Sequence, residues 1–134
     1  MLRVGVDMIE VERIERAMER HPNRFFARFF TSLEREQSRE MPGRLAARFA
    51  AKEAVAKALG TGIGAICWTE IEVRLDALGA PSLVLHGEAA RYAASLGLRD
   101  WQISLSHTRD HAIAFVVASD GTDSANLPLP NGHP

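Results

Sequence analysis

The sequence predicts an α+β fold in which a mostly antiparallel sheet packs against helices, one of them long and rich in alanine. Three observations lead to this fold class. A segment with strand periodicity opens the chain, and three helices and one short helical turn follow it. Two predicted hairpins, separated by one helix, then occupy the second half. Because a hairpin joins antiparallel strands, we expect the sheet to be largely antiparallel.

The first two elements are a strand and an amphipathic helix. The apolar residues Leu2, Val4 and Val6 alternate with Arg3 and Gly5. This alternation predicts a strand that ends at Asp7 and buries its apolar face. From about residue 9, apolar residues recur every three or four positions among charged ones. This pattern predicts a helix that closes near residue 22.

Three further helical segments are expected before the hairpins. Four phenylalanines between residues 25 and 30 predict a short helical turn in the core. Thr31 and Glu34 have the spacing of a capping box, which predicts the start of another helix. The Pro42-Gly43 pair then interrupts the chain before the alanine-rich helix, which we predict over about 44–59 with Gly60 as its stop.

The second half of the chain predicts two hairpins and a tail. Alternation over 70–75, followed by a turn and the apolar run 83–85, predicts the first hairpin, and a helix over about 88–96 follows it. Strands over 101–106 and 112–118 form the predicted second hairpin. The segment 119–134 is polar, rich in Pro and Gly, and aperiodic. We therefore predict one domain over residues 1–118 and a disordered tail over residues 119–134.

Composition excludes several classes of function. The 134 residues are 46% hydrophobic with a formal net charge of -1, which fits one globular domain and lacks the basic excess of a nucleic-acid-binding protein. No apolar run is long enough to span a membrane, and no leader pattern precedes the first strand. The lone Cys67 is expected to be a small buried side chain in a reducing compartment, so we expect a cytoplasmic location.

The alanine-rich helix carries an unusual set of charges. At about 100° per residue, Arg48 and Lys52 form one stripe, while Glu53 and Lys57 form a second stripe further round the helix. Alanines between the stripes allow close packing and leave the charges at defined angles. Two interpretations stay open, because Glu53 and Lys57 also have the spacing of an ordinary surface ion pair without a chemical role.

Three other positions are candidates for chemistry. Asp7 at the end of a strand suits a Mg²⁺ ligand, but with Glu10 it also fits an N-cap of the first helix. The glycine-rich turn 60–64 permits close approach of backbone N–H groups to a phosphate, although most such turns only end a helix. His107, next to Ser106, is better placed to donate a hydrogen bond to an anion than to activate a serine.

Three motifs in this order and spacing resemble the small, stand-alone 4′-phosphopantetheinyl transferases, the holo-acyl-carrier-protein synthases. The similarity extends from Val4 to Val117. The motifs are Gly5-Val6-Asp7-Met8-Ile9 with Glu12-Arg13-Ile14, then Arg48-Phe49-Ala50-Ala51-Lys52-Glu53-Ala54 with Lys57-Ala58 and Gly60-Thr61-Gly62, then Ser104-Leu105-Ser106-His107-Thr108. The middle motif is the most specific of the three.

The resemblance implies the phosphopantetheinyl transferase fold and a Mg²⁺-dependent transfer of phosphopantetheine from coenzyme A to a serine of an acyl carrier protein, for fatty acid biosynthesis. The second product is 3′,5′-ADP. Asp7 and Glu53 would bind Mg²⁺, and Lys57 would stabilise the charge that develops on the phosphates. Lys57, Glu53 and a metal-bound water all remain candidates for the base that takes the serine proton.

The resemblance also implies binding residues and an assembly. Arg13 would dock the acidic carrier, and the family's homotrimer would place each active site between two subunits. Ala80 stands where many members have a lysine, and the polar tail has no counterpart. The residues expected to bind coenzyme A are Arg48, Lys52, Lys57, Gly60, Thr61, Gly62, Pro81 and His107.

Three alternatives compete with this interpretation. A Mg²⁺-dependent phosphohydrolase would use the same two carboxylates to activate water and would cleave coenzyme A without any carrier. A binding module would hold coenzyme A or an acidic partner without turnover. In a purely structural role, Asp7 would be a cap, and Glu53 with Lys57 a surface pair.

Overall fold

The computed structural model describes residues 1–121, and residues 122–134 of the predicted tail lie outside the described residues. The disorder of that tail therefore stays a prediction. The elements, in chain order, are β1 (Leu2–Glu10), α1 (Val11–Arg20), α2 (Pro22–Phe29), α3 (Ser32–Ser38), α4 (Pro42–Leu59), a short 3-10 turn (Trp68–Glu70), β2 (Ile71–Leu75), β3 (Pro81–Leu85), α5 (Gly87–Ser95), β4 (Asp100–His107) and β5 (His111–Ser119).

The predicted α+β architecture is confirmed. Strands β1, β5 and β4 form an antiparallel sheet in that order, and β2 and β3 form a separate antiparallel hairpin. Helix α4 packs across one face of the larger sheet, against β1 and β5. The sheet residues beneath it are small: Ala112, Ala114, Val116 and Ala118 are fully or almost fully buried. Helix α4 is consequently the central element on which β1 and the hairpin are placed.

Gly5 sets the distance between β1 and α4. A Cβ atom at this position would lie 1.9 Å from the backbone oxygen of Ala54 and 3.2 Å from the backbone nitrogen of Ala58. Both are helix backbone atoms, which a side-chain rotation cannot move aside. A glycine is thus required wherever β1 passes so close to the helix.

We expect Gly5→Ala to destabilise the fold by about 3 kcal/mol, because the strand and the helix must separate to admit the methyl group. Gly97→Ala is the control, since Gly97 has a φ of +75° but open space around its Cα. That change adds only backbone strain, for which we expect a loss of about 1 kcal/mol. Urea unfolding measures both losses, and equal losses would show that the contact with α4 is not tight.

The apolar face predicted to be buried in β1 is instead exposed. Val4, Val6 and Met8 are 61%, 49% and 64% exposed, whereas the alternate residues Gly5 and Ile9 are buried against α4. The prediction was wrong because the close approach of β1 to the helix requires Gly5, and this places the face of Gly5 and Ile9 against α4. On the same surface, β5 exposes Ile113 and Phe115. We call Leu2, Val4, Val6, Met8, Ile113 and Phe115 the outer apolar face.

The bounds of two elements differ from the predicted ones. Strand β1 does not end at Asp7 but runs to Glu10, and α1 begins at Val11 with Glu10 as its N-cap. Helix α4 begins at Pro42 rather than after it, since a proline without an N–H is well suited to the first helical turn.

Among the remaining local predictions, those for helix ends are confirmed and the one for Cys67 is wrong. The capping box of Thr31 and Glu34 is confirmed, and Gly60 ends α4 in the left-handed conformation, as predicted. Cys67, expected to be buried, is exposed beside the 3-10 turn. In the described part of the chain, no helix combines the length and the apolarity needed to cross a membrane.

Candidate active site

Asp7 and Lys57 meet where β1 crosses α4. Asp7 lies within β1, paired with Ala114 of β5, and shares the inner face of the sheet with Gly5. The Lys57 Nζ donates to Asp7 Oδ1 at 3.0 Å and to the backbone oxygen of Val6 at 2.9 Å. The capping role left open for Asp7 is therefore wrong, because this side chain faces the helix that carries Lys57.

Glu53 lies one turn before Lys57 on α4 and completes a cluster of two carboxylates and one ammonium. Burial raises the pKa of Glu53, and the negative charge of Asp7 raises it further, while Lys57 acts in the opposite direction. The structure pairs Lys57 with Asp7 rather than with Glu53. The simple surface pair of Glu53 and Lys57 is therefore not what this part of the helix forms.

A second group of predicted residues lines a cavity of about 230 Å³ between α3, α4, the β2–β3 hairpin and β4. Arg48, Pro81 and His107 all border it, although they come from three distant parts of the chain. His107 rests against the first turn of α4, where a Cβ at Gly43 would lie 3.0 Å from its ring. Sequence reasoning thus identified three residues that the fold does bring together.

Arg48 is an unusual component of this cavity, because it is only 3% exposed and incompletely hydrogen-bonded. Its Nη1 donates to the backbone oxygen of Arg44 at 3.1 Å. Among the residues that the structure describes, its Nε and Nη2 have no partner. Burial lowers the pKa of Arg48, and Glu34 offsets part of that effect. A buried guanidinium with unpaired N–H groups is well suited to bind an anion in the cavity.

Lys52 does not belong to the cavity, so its predicted contact with coenzyme A is wrong. Its side chain has no exposed surface, and its Nζ donates to Glu34 Oε1 at 2.7 Å and to the backbone oxygens of Trp68 and Ile71. Burial lowers the pKa of Lys52, which Glu34 counteracts. With all three protons donated inside the protein, this ammonium is not available to a phosphate.

We expect Lys52→Met to destabilise the protein by about 3–5 kcal/mol, because Glu34 would keep a buried charge without its partner. The double change Lys52→Met with Glu34→Gln removes both charges and should recover part of that loss. Unfolding in urea measures the two losses. A loss of stability below about 1 kcal/mol for Lys52→Met would contradict a buried ion pair, because only exposed pairs contribute so little.

The Gly60-Thr61-Gly62 turn lies at the opposite end of α4 from the cavity. Gly60 comes twelve positions after Arg48 along α4, which corresponds to roughly 18 Å. Gly60 and Gly62 have positive φ angles, and the Thr61 hydroxyl is buried without a hydrogen-bond partner within residues 1–121. A single chain therefore does not bring this turn to the cavity that Arg48 borders.

Helix α1 exposes Arg13, which has no ion pair in the described part of the chain. Its neighbour Arg16 is instead held by Glu12 at 2.6 Å. Behind Arg13, a groove of about 210 Å³ between α1 and α2 has Phe25 and Phe29 among its lining residues. The other lining residues are Ala17, Arg20, His21, Arg24 and Arg28.

Two polar residues of the cavity were not predicted from the sequence. Gln37 of α3 and Arg44 of α4 both border the cavity with Arg48. Arg44 lies four residues before Arg48, so the basic stripe of α4 extended by one turn would have found it. Gln37 had no signal, because only the tertiary fold places α3 beside the hairpin.

The chain is similar to known proteins in both sequence and fold. The model of the 4'-phosphopantetheinyl transferase superfamily matches residues 3–116. A holo-[acyl-carrier-protein] synthase of Herpetosiphon aurantiacus is 50% identical over 124 residues, which cover 87% of this chain and 98% of the relative.

Two solved structures share the fold. The Helicobacter pylori holo-[acyl-carrier-protein] synthase in complex with coenzyme A matches with a TM-score of 0.80 and 30% identity, over 87% of this chain and 99% of that one. The Bacillus anthracis holo-(acyl-carrier-protein) synthase in complex with CoA (3',5'-ADP) matches with a TM-score of 0.70 and 34% identity, over 87% and 94%. The chain therefore belongs to the 4′-phosphopantetheinyl transferase superfamily, among its holo-acyl-carrier-protein synthases.

Proposed function

We propose that this chain transfers 4′-phosphopantetheine from coenzyme A to a serine of an apo-acyl carrier protein, releasing 3′,5′-ADP, with Mg²⁺ as its cofactor. The carrier would serve fatty acid biosynthesis in the cytoplasm. The observation that carries the proposal is the cluster of Asp7, Glu53 and Lys57, where two carboxylates and an ammonium converge from β1 and α4. The coenzyme A complexes of the two related structures support the choice of donor.

In the reaction, the serine oxygen bonds to the phosphorus that carries the pantetheine arm, and the serine proton passes to a base, for which Lys57, Glu53 and a water molecule are the candidates. The bond from that phosphorus to the 3′,5′-ADP oxygen breaks, and the leaving group takes the electron pair. Lys57 would stabilise the negative charge of the leaving group, and Asp7 holds its ammonium in place at 3.0 Å.

The charges of the cluster fit a divalent cation. Asp7 raises the pKa of Glu53, so the two carboxylates repel each other and one ammonium does not fully compensate them. Carboxylate oxygens are the ligands that Mg²⁺ prefers, and one or two of them suffice when water and phosphate oxygens complete the shell. Mg²⁺ held by Asp7 and Glu53 would supply charge neutralisation at the pyrophosphate.

The nucleotide part of coenzyme A is proposed to occupy the cavity of Arg48, Pro81 and His107. The unpaired Nε and Nη2 of Arg48 would donate to a phosphate, and His107 would donate to the same anionic group. The Gly60-Thr61-Gly62 turn would contact the remaining phosphates with its backbone N–H groups. Since one chain keeps this turn away from the cavity, the proposal requires a site completed by a second subunit.

A homotrimer is the proposed assembly, and the outer apolar face is its proposed interface. Soluble monomers rarely leave a contiguous apolar surface of this kind in water. The face covers one side of β1 and β5, and Asp7 points from the other side of β1, toward α4. Contacts through it would hold a neighbouring subunit against the sheet that carries the catalytic cluster.

Carrier docking is proposed for the exposed cations of α1 and α2. Acyl carrier proteins are acidic and helical, so Arg13 would pair with a carrier carboxylate. Arg20, Arg24 and Arg28 would extend this surface along the groove that contains Phe25 and Phe29. An acidic amphipathic helix would meet cations at the rim and aromatic side chains inside the groove.

The proposal is tested by incubating the purified protein with coenzyme A, Mg²⁺ and an apo-acyl carrier protein and measuring the intact mass of the carrier. We expect the carrier to gain one phosphopantetheine group, with release of an equal amount of 3′,5′-ADP and loss of both products in a chelator. Coenzyme A cleaved equally fast without carrier would identify a phosphohydrolase instead. Binding of coenzyme A without any product would identify a binding module.

A further inference from the structure

The β2–β3 hairpin is attached to the helices by side chains rather than by a third strand. Its two strands pair only with each other, and an isolated two-stranded hairpin is marginally stable. The free edge of β2 presents backbone groups of Ile71, Val73 and Leu75 to α3 and α4. Each of these three residues has at least one backbone group that is hydrogen-bonded to a side chain of α3 or α4.

Three side chains pair with that edge. Lys52 donates to the Ile71 oxygen, and Glu34 Oε2 accepts from the Val73 nitrogen at 3.0 Å. Gln37 makes two bonds to one residue: its Oε1 accepts from the Leu75 nitrogen at 2.9 Å, and its Nε2 donates to the Leu75 oxygen at 3.2 Å. Gln37 thus replaces the neighbouring strand that Leu75 lacks. We call Glu34, Gln37 and Lys52 the side-chain ladder.

Gln37 acts at the end of the hairpin that borders the cavity. Leu75 is paired with Pro81, and both residues line the cavity together with Gln37 itself. The turn between them is closed by Asp76, whose Oδ1 accepts from the backbone nitrogens of Leu78 and Ala80. The turn is consequently rigid, and its position relative to Arg48 depends on how Leu75 is held.

We propose that Gln37 is a positioning residue for coenzyme A, which holds Leu75 and thereby places Pro81 opposite Arg48 and His107. This role rests on the proposed function, in which the cavity takes the nucleotide. Gln37 touches the hairpin and not the reacting atoms, so it affects the binding of the donor and not the transfer step. A substitution at Gln37 should therefore raise the KM for coenzyme A and leave kcat nearly unchanged.

The test compares Gln37→Met with Glu36→Met, its exposed neighbour on the same helix. Methionine keeps the length of Gln37 and removes both hydrogen bonds. We expect the KM for coenzyme A to rise about tenfold, because two hydrogen bonds are lost, with kcat and the KM for the carrier within about twofold. Gln37→Glu keeps the acceptor for Leu75 and loses the donor, so hydrogen exchange of segment 71–75 should rise less than in Gln37→Met. Glu36→Met should behave as the unchanged protein.

Two further readouts separate this role from the proposed function. Amide hydrogen exchange over 71–75 should accelerate in Gln37→Met, and calorimetry should show weaker binding of 3′,5′-ADP, whether or not any carrier is modified. If the protein without any substitution modifies no carrier, the proposed transferase activity is wrong. The two measurements then still test the role of Gln37. Faster exchange with unchanged affinity for both nucleotides, or unchanged exchange, would overturn the positioning role.

Discussion

Glu53→Gln is expected to reduce kcat/KM for carrier modification by at least about 100-fold, since the cluster loses one of its two carboxylates. The fold should not suffer. Burial and Asp7 raise the pKa of Glu53, so the folded state disfavours the charged form of this side chain. A neutral amide removes the repulsion from Asp7, and the melting temperature should stay equal or rise.

The stability difference between Glu53→Gln and the protein without this substitution should depend on pH. Glu53 has a higher pKa in the folded protein than its ordinary value of 4.5, so between these two values the folded state binds more protons than the unfolded state. The contribution of Glu53 to stability therefore falls as the pH rises through that window. The advantage of Glu53→Gln over the unchanged protein should grow with pH, as urea unfolding at several pH values measures.

Glu88→Gln is the matched control, because Glu88 is exposed on α5 and paired only with a surface arginine, Arg91. Such surface pairs contribute little, so neither activity nor stability should change measurably. A Glu53→Gln protein with full transferase activity would remove Glu53 from the catalytic cluster. A marked loss of stability in that variant would show that Glu53 is structural instead.

Phe115→Glu is expected to convert the proposed trimer to monomers and to reduce activity by about 100-fold, because the proposed site between subunits would lose its geometry. Phe115 is 45% exposed in the single chain and lies in the middle of the outer apolar face, paired with Val6. A glutamate there is readily hydrated in a monomer but is buried without a partner in an interface. Sedimentation and the carrier assay measure the two effects.

Tyr92→Glu is the control for this change. Tyr92 is an aromatic residue on α5 with a similar exposure of 39%, outside the outer apolar face. It should leave both the assembly and the activity unchanged. If Phe115→Glu stays trimeric, the interface lies elsewhere. If it is monomeric and fully active, each active site is complete within one chain.

Periodicity and local motifs predicted the elements of this fold well. Both hairpins, the capping box of Thr31 and Glu34, and the end of α4 at Gly60 follow from residues close together in the sequence. The direction in which β1 turns its apolar face does not follow from neighbouring residues in this way. Alternation shows that one face is apolar, but whether that face meets a helix or another subunit depends on the close contact at Gly5.

The candidate site shows the same limit. Asp7, Glu53 and Lys57 were predicted together from the resemblance, and the fold brings them together. Arg48 and Lys52 have the same charge and lie on one stripe of α4, yet only Arg48 borders the cavity. The difference comes from Glu34, which lies 18 residues before Lys52 and pairs with it only in the folded chain. No local pattern contains that contact.

The central proposal is that Asp7 and Glu53 hold one divalent cation at the pyrophosphate of coenzyme A. Anomalous diffraction from crystals grown with Mn²⁺ and coenzyme A tests it most directly, because Mn²⁺ shares the oxygen ligands of Mg²⁺ and its position is identified by its own signal. We expect one peak per subunit, within bonding distance of both carboxylates and of a phosphate oxygen. Coenzyme A bound in the cavity with no peak between Asp7 and Glu53 would contradict it.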